Sequence, residues 1–300
     1  MAEAKGIFKS GFVSIVGRPN VGKSTLLNTL IGEKVAITSP KPQTTRNQII
    51  GIHNAEDHQI VFVDTPGIHK PRTKLGEYMD KSVQDSLKAI DALIVIADVS
   101  RSDPRERETI RTLAENKIPK FLVLNKIDLV HPQQLLPIIA DYAGDGFDAI
   151  LPISAKTGEG VSELMEKLLS VLKEGPRYYP QEQYTPQTER QIIAELIRER
   201  ALFLLQEEIP HGIGVEIRSM EEKSPTLTEI FADIYCERAS HKGIIIGKQG
   251  AMLSKLGSQA RAQIEDLLGT QVMLKLWVKV RPDWRNSNND LKNLGYWEQT

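Results

Sequence analysis

GRPNVGKS at positions 17–24 has the spacing G-x-x-x-x-G-K-S. This octet (Gly17, Arg18, Pro19, Asn20, Val21, Gly22, Lys23, Ser24) follows an apolar run and opens a helical pattern, as a phosphate-binding loop requires. The glycines let backbone N–H groups face phosphate oxygens. Lys23 reaches the β- and γ-phosphates, Ser24 offers its hydroxyl to Mg²⁺, and the helix N-terminus adds positive potential. DTPGI at 64–68 (Asp64, Thr65, Pro66, Gly67, Ile68) ends another apolar run, roughly 40 residues past the loop. Asp64 suits the Mg²⁺ shell and the Gly67 N–H suits a γ-phosphate. NKID at 125–128 (Asn125, Lys126, Ile127, Asp128) is base-choosing, because the Asp128 carboxylate can accept from N1–H and the N2 amine of guanine. Adenine offers no such pair of donors. Asn125 either bonds the guanine edge or ties loops together, and the Lys126 stem can lie over the base. SAK at 154–156 (Ser154, Ala155, Lys156) supplies backbone N–H to guanine O6. Between the first helix and the next strand lies QTTRN at 43–47 (Gln43, Thr44, Thr45, Arg46, Asn47). A switch loop here must give Mg²⁺ a threonine hydroxyl when the γ-phosphate is present; Thr44 and Thr45 are candidates, and Thr45 is favoured. The metal set is therefore Ser24, Thr45 and Asp64, and the ligand GTP or GDP. Ile68 stands where many GTPases hold a water-orienting glutamine, so intrinsic hydrolysis should be slow. Asn20 is a candidate to hold a K⁺ ion near the phosphates.

A second chemistry lies far downstream. GKQG at 247–250 (Gly247, Lys248, Gln249, Gly250) is a G-x-x-G loop between an apolar helical turn and an amphipathic helix. Such a loop lets a sugar-phosphate chain approach the backbone closely, and about four unstacked nucleotides can lie along the groove beside it. Arg238, Lys242, Lys248 and Lys255 are the candidate phosphate contacts. Charge supports this: residues 182–237 carry 5 Lys/Arg against 12 Asp/Glu, whereas 238–292 carry 10 against 4. A charge dipole of that kind steers one face toward a polyanion although the whole chain is at −1.

The elements that must position these motifs can be read from periodicity. Apolar runs at 12–17, 59–67, 92–100, 120–128 and 149–158 alternate with helical patterns at 23–31, 73–88, 103–116, 132–142 and 160–172. Doubly apolar strands alternating with helices predict an α/β fold, a mostly parallel sheet with helices on both faces. IIGIHN at 49–54 adds one antiparallel edge strand. The segment 175–187, rich in Pro and Tyr and without periodicity, reads as a linker. Beyond it the order is α-β-β-α-α-β, an α+β domain over 188–283, with a polar tail at 284–300. The first domain is 1–174. Cys236 and Trp277 read as strand core. Trp284, Tyr296 and Trp297 read as tail residues packing on the second domain rather than stacking on bases.

Composition bounds the rest. The 300 residues suit two domains, and 40% hydrophobic with 26% charged residues excludes a disordered or fibrous chain. No apolar run approaches the roughly 18 residues of a membrane span. The first residues show no signal-peptide pattern. One cysteine forms no internal disulfide, which fits a reducing cytosol.

Taken together, GRPNVGKS, QTTRN, DTPG, NKID and SAK followed by GIIIGKQG resemble the Era-type bacterial GTPases over about residues 8–297. A single set of GTP motifs separates the chain from relatives with two such domains. The resemblance implies a GTPase domain joined to a type II KH domain. It further implies binding near the 3′ end of 16S rRNA, a role in assembly of the small (30S) ribosomal subunit, a link to the cell cycle, and a peripheral fraction on the inner membrane face; the chain itself is expected to be a cytoplasmic monomer. The expected mechanism is that GTP and Mg²⁺ order the 38–48 and 67–80 loops and so expose or hide the RNA groove. The alternative is a peripheral membrane signalling or cell-cycle GTPase with secondary RNA binding.

Overall fold

The computed structural model describes residues 8–41, 43–68, 71–101 and 104–296. Pro42, His69 and Lys70 of the two expected switch loops, and Trp297, lie outside the described residues. By their contacts the residues fall into two units: Met1–Ala36, Thr45–Lys70 and Met79–Pro186 form one, and Ile37–Thr44, Pro71–Tyr78 and Gln187–Thr300 the other.

In the first unit six strands form one sheet: β1 (Lys9–Val16), β2 (Ile49–Asn54), β3 (His58–Asp64), β4 (Ala92–Asp98), β5 (Lys120–Asn125) and β6 (Ala149–Ile153). Their order is β2-β3-β1-β4-β5-β6. Only β2 is antiparallel to its neighbour; the other pairings are parallel. Every residue of β4 is buried. Its alternate residues serve two cores, Ile94 and Ile96 one, Leu93, Val95 and Ala97 the other, as a sheet covered on both faces demands. The helices are α1 (Lys23–Ile31), α2 (Lys74–Asp85), α3 (Pro104–Ala114), α4 (Pro132–Tyr142) and α5 (Val161–Val171). Of these, α2 begins in the second unit and ends in the first.

Residues 175–186 are held on the first unit. Gln59, fully buried in β3, accepts the N–H groups of Tyr178 (2.7 Å) and Tyr179 (3.0 Å) and donates to Tyr179 O (2.9 Å). Ile52 N of the edge strand β2 donates to Tyr184 O (2.8 Å), and the Tyr178 ring meets Phe12 at 4.8 Å. The segment thereby covers a strand edge that would otherwise present unpaired backbone groups.

The second unit has helix α6 (Glu189–Leu204), strands β7 (Gly214–Ser224) and β8 (Leu227–Cys236), helices α7 (Ala239–Ile246) and α8 (Ala251–Leu268), and strand β9 (Gln271–Val280). That is the α-β-β-α-α-β order read from the sequence. Thr188 starts α6 with a capping box, exchanging bonds with Gln191. β8 is central, antiparallel to β7 and parallel to β9. The core joins Ile193, Ile197, Leu202, Ile230, Ile234, Cys236, Leu256 and Ile264. A short helix, α9 (Asn288–Asn293), follows in the tail. Trp284 is fully buried, donates from Nε1 to Gly212 O (2.9 Å) and stacks on Tyr296 at 6.1 Å, so the tail packs on this unit.

Trp277 corrects the sequence reading. It is 46% exposed and stacks on Phe231 at 5.5 Å. Both phases of QVMLKLWVKV contain apolar residues, and Val272 and Val278 take the buried phase, which turns Trp277 outward.

Candidate nucleotide site and nucleic-acid groove

The C-terminal ends of β1, β3, β5 and β6 lead into the loops that carry the nucleotide motifs, the edge at which open α/β sheets bind ligands. Gly22 opens α1 at φ 105°, and a Cβ there would lie 2.2 Å from Asn125 Nδ2. Only glycine fits both the backbone angle and that approach. Lys23 is 6% exposed and folds back onto the loop, its Nζ donating to Gly17 O (3.1 Å) and Arg18 O (2.9 Å). Burial lowers its pKa to about 8, partly opposed by Asp64 and Glu106. Phosphate oxygens would offer this ammonium stronger, charged acceptors than two carbonyls.

Ser24, Thr45 and Asp64 converge. Ser24 Oγ donates to Asp64 Oδ2 (2.7 Å) and lies 2.8 Å from Thr45 Oγ1, which is 3.2 Å from the same carboxylate oxygen. Asp64 Oδ1 is buried and has no hydrogen-bond partner. Burial pushes the carboxyl up to about 6 against the pull of Lys23. A cation such as Mg²⁺, with ligands about 2.1 Å away at right angles, needs neighbouring oxygens about 3 Å apart. These three oxygens meet that spacing, so the residues fit the ion. Thr44 does not compete for the role, because its hydroxyl donates to Lys41 O (2.7 Å). Gln43 and Thr44 fall in the second unit; Thr45, Arg46 and Asn47 fall in the first, with Arg46 buried. Ile68 donates its N–H to Gly17 O (3.1 Å) and packs its side chain on the core around β4. It has no group to orient water.

At the base-recognition end, Asn125 ties loops together. Its Nδ2 donates to Val21 O (2.7 Å), and its Oδ1 accepts from Ala155 N (2.9 Å). Lys126, at φ 70°, donates from Nζ to Asn20 O (2.8 Å) and to Asp98 Oδ2 (2.5 Å). Ser154 Oγ donates to Asp128 Oδ1 (2.7 Å), which aims that carboxylate while its other oxygen stays available to a base. Lys156 is exposed. The sequence reading missed Asp98, which also accepts from Ser100 N (2.9 Å). Its signal was an acid closing the otherwise apolar run ALIVIAD.

The second unit carries the other site. Gly247 sits at φ 74°, and a Cβ there would come within 2.7 Å of Met252 Cβ; Gln249 and Gly250 follow at φ 51° and 80°. The left-handed turn leaves the Lys248 and Gln249 side chains exposed. Beside it a groove of about 370 Å³ runs between α8 and β9, floored by Leu253, Leu274 and Leu276, with Ser254, Ser258 and Arg261 at its polar wall. An apolar floor with polar walls suits unstacked bases. Lys255 on α8 is exposed and Lys242 on α7 is half-buried, whereas Arg238, also exposed, precedes α7 at the end away from the loop. Arg261 was not among the candidates from sequence; only its register on α8 relative to Gly250 places it in the groove.

Comparison with known proteins finds two domains in this order. A family model for the 50S ribosome-binding GTPase matches residues 12–126, and a KH domain model matches 208–285. The GTPase Era of Ruminiclostridium cellulolyticum is 50% identical over 291 residues, covering 96% of this chain and 98% of the relative. That of Clostridioides difficile is 51% identical, covering 97% and 99%. Among solved structures, an Aquifex aeolicus Era variant bound to GDP and AlF₄⁻ aligns with TM-score 0.92 at 38% identity, covering 96% of this chain and 99% of that one. An Era complex with MgGDPNP and nucleotides 1506–1542 of 16S ribosomal RNA aligns with TM-score 0.92 at 39% identity, with the same coverage. The chain therefore belongs to the Era family, GTP hydrolases that carry a KH RNA-binding domain.

Proposed function

We propose that this protein binds 16S rRNA near its 3′ end through the groove beside GKQG and acts in assembly of the small ribosomal subunit, with its guanine nucleotide setting when it binds and leaves. The observation that carries this reading is the pairing, in one chain, of a guanine-selective phosphate site with an apolar-floored groove beside G-x-x-G. The near-full-length likeness to an Era bound to both MgGDPNP and 16S nucleotides supports it. We take 1–174 as the GTPase domain, 175–187 as the linker, 188–283 as the KH domain and 284–300 as the tail.

In this reading Lys23 and the loop amides hold the β- and γ-phosphates. Ser24, Thr45 and Asp64 would hold Mg²⁺, which neutralises charge developing on the phosphate oxygens. Asp128, aimed by Ser154, selects guanine. Hydrolysis is slow because Ile68 cannot orient water, and the Asn20 carboxamide takes a K⁺ ion in place of an arginine finger. A hydrolysis rate equal in K⁺ and Na⁺ would count against that last assignment. The protein acts as a cytoplasmic monomer with a peripheral membrane fraction; co-sedimentation with anionic vesicles tests the latter. The experiment for the whole reading is equilibrium binding of a labelled 16S 3′-end RNA against a scrambled RNA of equal length. Preference for the former by tenfold or more, about 1.4 kcal/mol, is expected, and equal affinity would refute it.

A further inference from the structure

Asp98 closes β4, where every residue is buried, and is itself 7% exposed. It stands in register with Asn125 of β5, the residue before Lys126. Its Oδ2 accepts the Lys126 ammonium at 2.5 Å, and its Oδ1 accepts from Ser100 N (2.9 Å) and Ser100 Oγ (2.5 Å). Ser100 thus fixes the carboxylate independently of Lys126. The same ammonium donates to Asn20 O (2.8 Å), while Asn125 Nδ2 donates to Val21 O (2.7 Å). Consecutive residues of NKID therefore grip consecutive carbonyls of the phosphate-binding loop. Asn20 and Lys126 sit at φ 65° and 70°, left-handed angles that a non-glycine residue keeps only where its surroundings enforce them. All of these groups lie in the first unit.

A lysine stem is flexible, and its charged end prefers water. Tethered at the ammonium by a buried carboxylate and a carbonyl, the stem loses that freedom before any ligand arrives. The ordering is then no longer a cost of binding. The carboxylate also neutralises the charge, so the methylenes of Lys126 and not its ammonium are what a purine ring meets. We propose that Asp98 is a positioning residue for the guanine nucleotide: it holds the Lys126 ammonium so that the stem is laid out as a platform for the base that Asp128 selects. This rests on the reading of the Lys126 stem as lying over the base.

The test uses the full-length protein with Mg²⁺, binding of fluorescent N-methylanthraniloyl GDP, and steady-state GTP hydrolysis. Asp98→Asn keeps the side chain's shape and removes its charge. Losing a charge-assisted bond should weaken GDP binding by about tenfold. The KM for GTP should rise by a similar factor with kcat within about twofold of wild type, since uniform binding is what is lost. Asp98→Glu should recover part of the loss. Because the role runs through Lys126, the Asp98→Asn effect should fall below about twofold when Lys126 is already alanine. Ser100→Ala, which leaves both charges in place, should show the same dependence on Lys126 at a smaller size, and it decides alone if Asp98→Asn does not fold. A structural role would cost the same factor in either background or lower kcat together with binding. Either of those outcomes overturns the proposal. Lys126→Ala separates the two readings. If it spares GDP binding, the stem is no base platform and that reading fails; if it weakens GDP binding while Asp98→Asn and Ser100→Ala do not, only the positioning role fails.

Discussion

The two binding sites of this chain solve recognition in opposite ways. At the nucleotide site Lys23 and Asp64 are buried, and the charged groups are already bonded to protein: Lys23 to two loop carbonyls, Asp64 to two hydroxyls, and the exposed Asp128 to Ser154. Burial perturbs Lys23 and Asp64 strongly because each loses water and finds incomplete replacement. A ligand must supply the missing charge at fixed points, so the site accepts one chemistry. Along the groove beside α8, Lys248, Lys255 and Arg261 are exposed, and the floor is apolar. Exposed cations recognise phosphate as a class, and an apolar floor accepts any base face. Selectivity there must come from the groove walls and not from the cations. A buried site chooses its ligand by what would be left unpaired, whereas an exposed one attracts first and chooses afterwards.

That contrast can be broken most sharply at Lys23. Lys23→Ala should reduce single-turnover GTP hydrolysis by about 100-fold or more, since the ammonium meets charge that grows in the transition state. RNA binding without nucleotide should stay within about twofold of wild type, because no groove contact is lost. Next comes a reversal of charge in the groove. Changing Lys248 and Gln249 both to Asp should weaken binding of the 16S 3′-end RNA by about 100-fold and flatten its salt dependence, while GDP affinity holds. An equal salt slope in wild type and variant would show that the loop does not meet phosphate. At the base, Asp128→Asn should lower GTP affinity by about 30- to 100-fold and raise xanthosine triphosphate binding, since a carboxamide can donate where the carboxylate accepts. The smallest effect is expected from Ser154→Ala. It leaves Asp128 in place but removes the bond that aims it, at a cost of about 1 kcal/mol, or roughly fivefold in GTP affinity. Guanosine-over-adenosine titrations read both base-site variants.

Much of this was legible in the residues because it depends on local chemistry. A G-K-S octet after an apolar run, NKID and SAK at strand ends, and G-x-x-G within α-β-β-α-α-β each have few physical readings. What stayed hidden depends on long-range bonding. The 175–186 segment has no hydrophobic period because Gln59 and the β2 edge hold it by hydrogen bonds. The bonds from Arg198 to the carbonyls of Gln43 and Thr44 span 155 and 154 residues, and no side-chain pattern reports them. Asn125 had two readings from sequence, and only the geometry shows both ends of its carboxamide committed to loops. Trp277 was read as core from its place on the last strand, and its phase there turns it outward. Lys275 and Lys279, two residues to either side on an alternating strand, already marked its face as the solvent one.

In the proposed function one chain couples guanine nucleotide to RNA. That coupling is tested most directly by the affinity of a labelled 16S 3′-end RNA for the full-length protein with GDPNP and Mg²⁺, with GDP, and without nucleotide, at low and moderate salt. A ligand shifts such an equilibrium only by its differential affinity for the two states. Affinity at least fivefold higher with GDPNP than with GDP, a difference of about 1 kcal/mol, is expected at both salt concentrations. Equal affinity in all three nucleotide states would contradict the coupling and leave two independent sites on one chain.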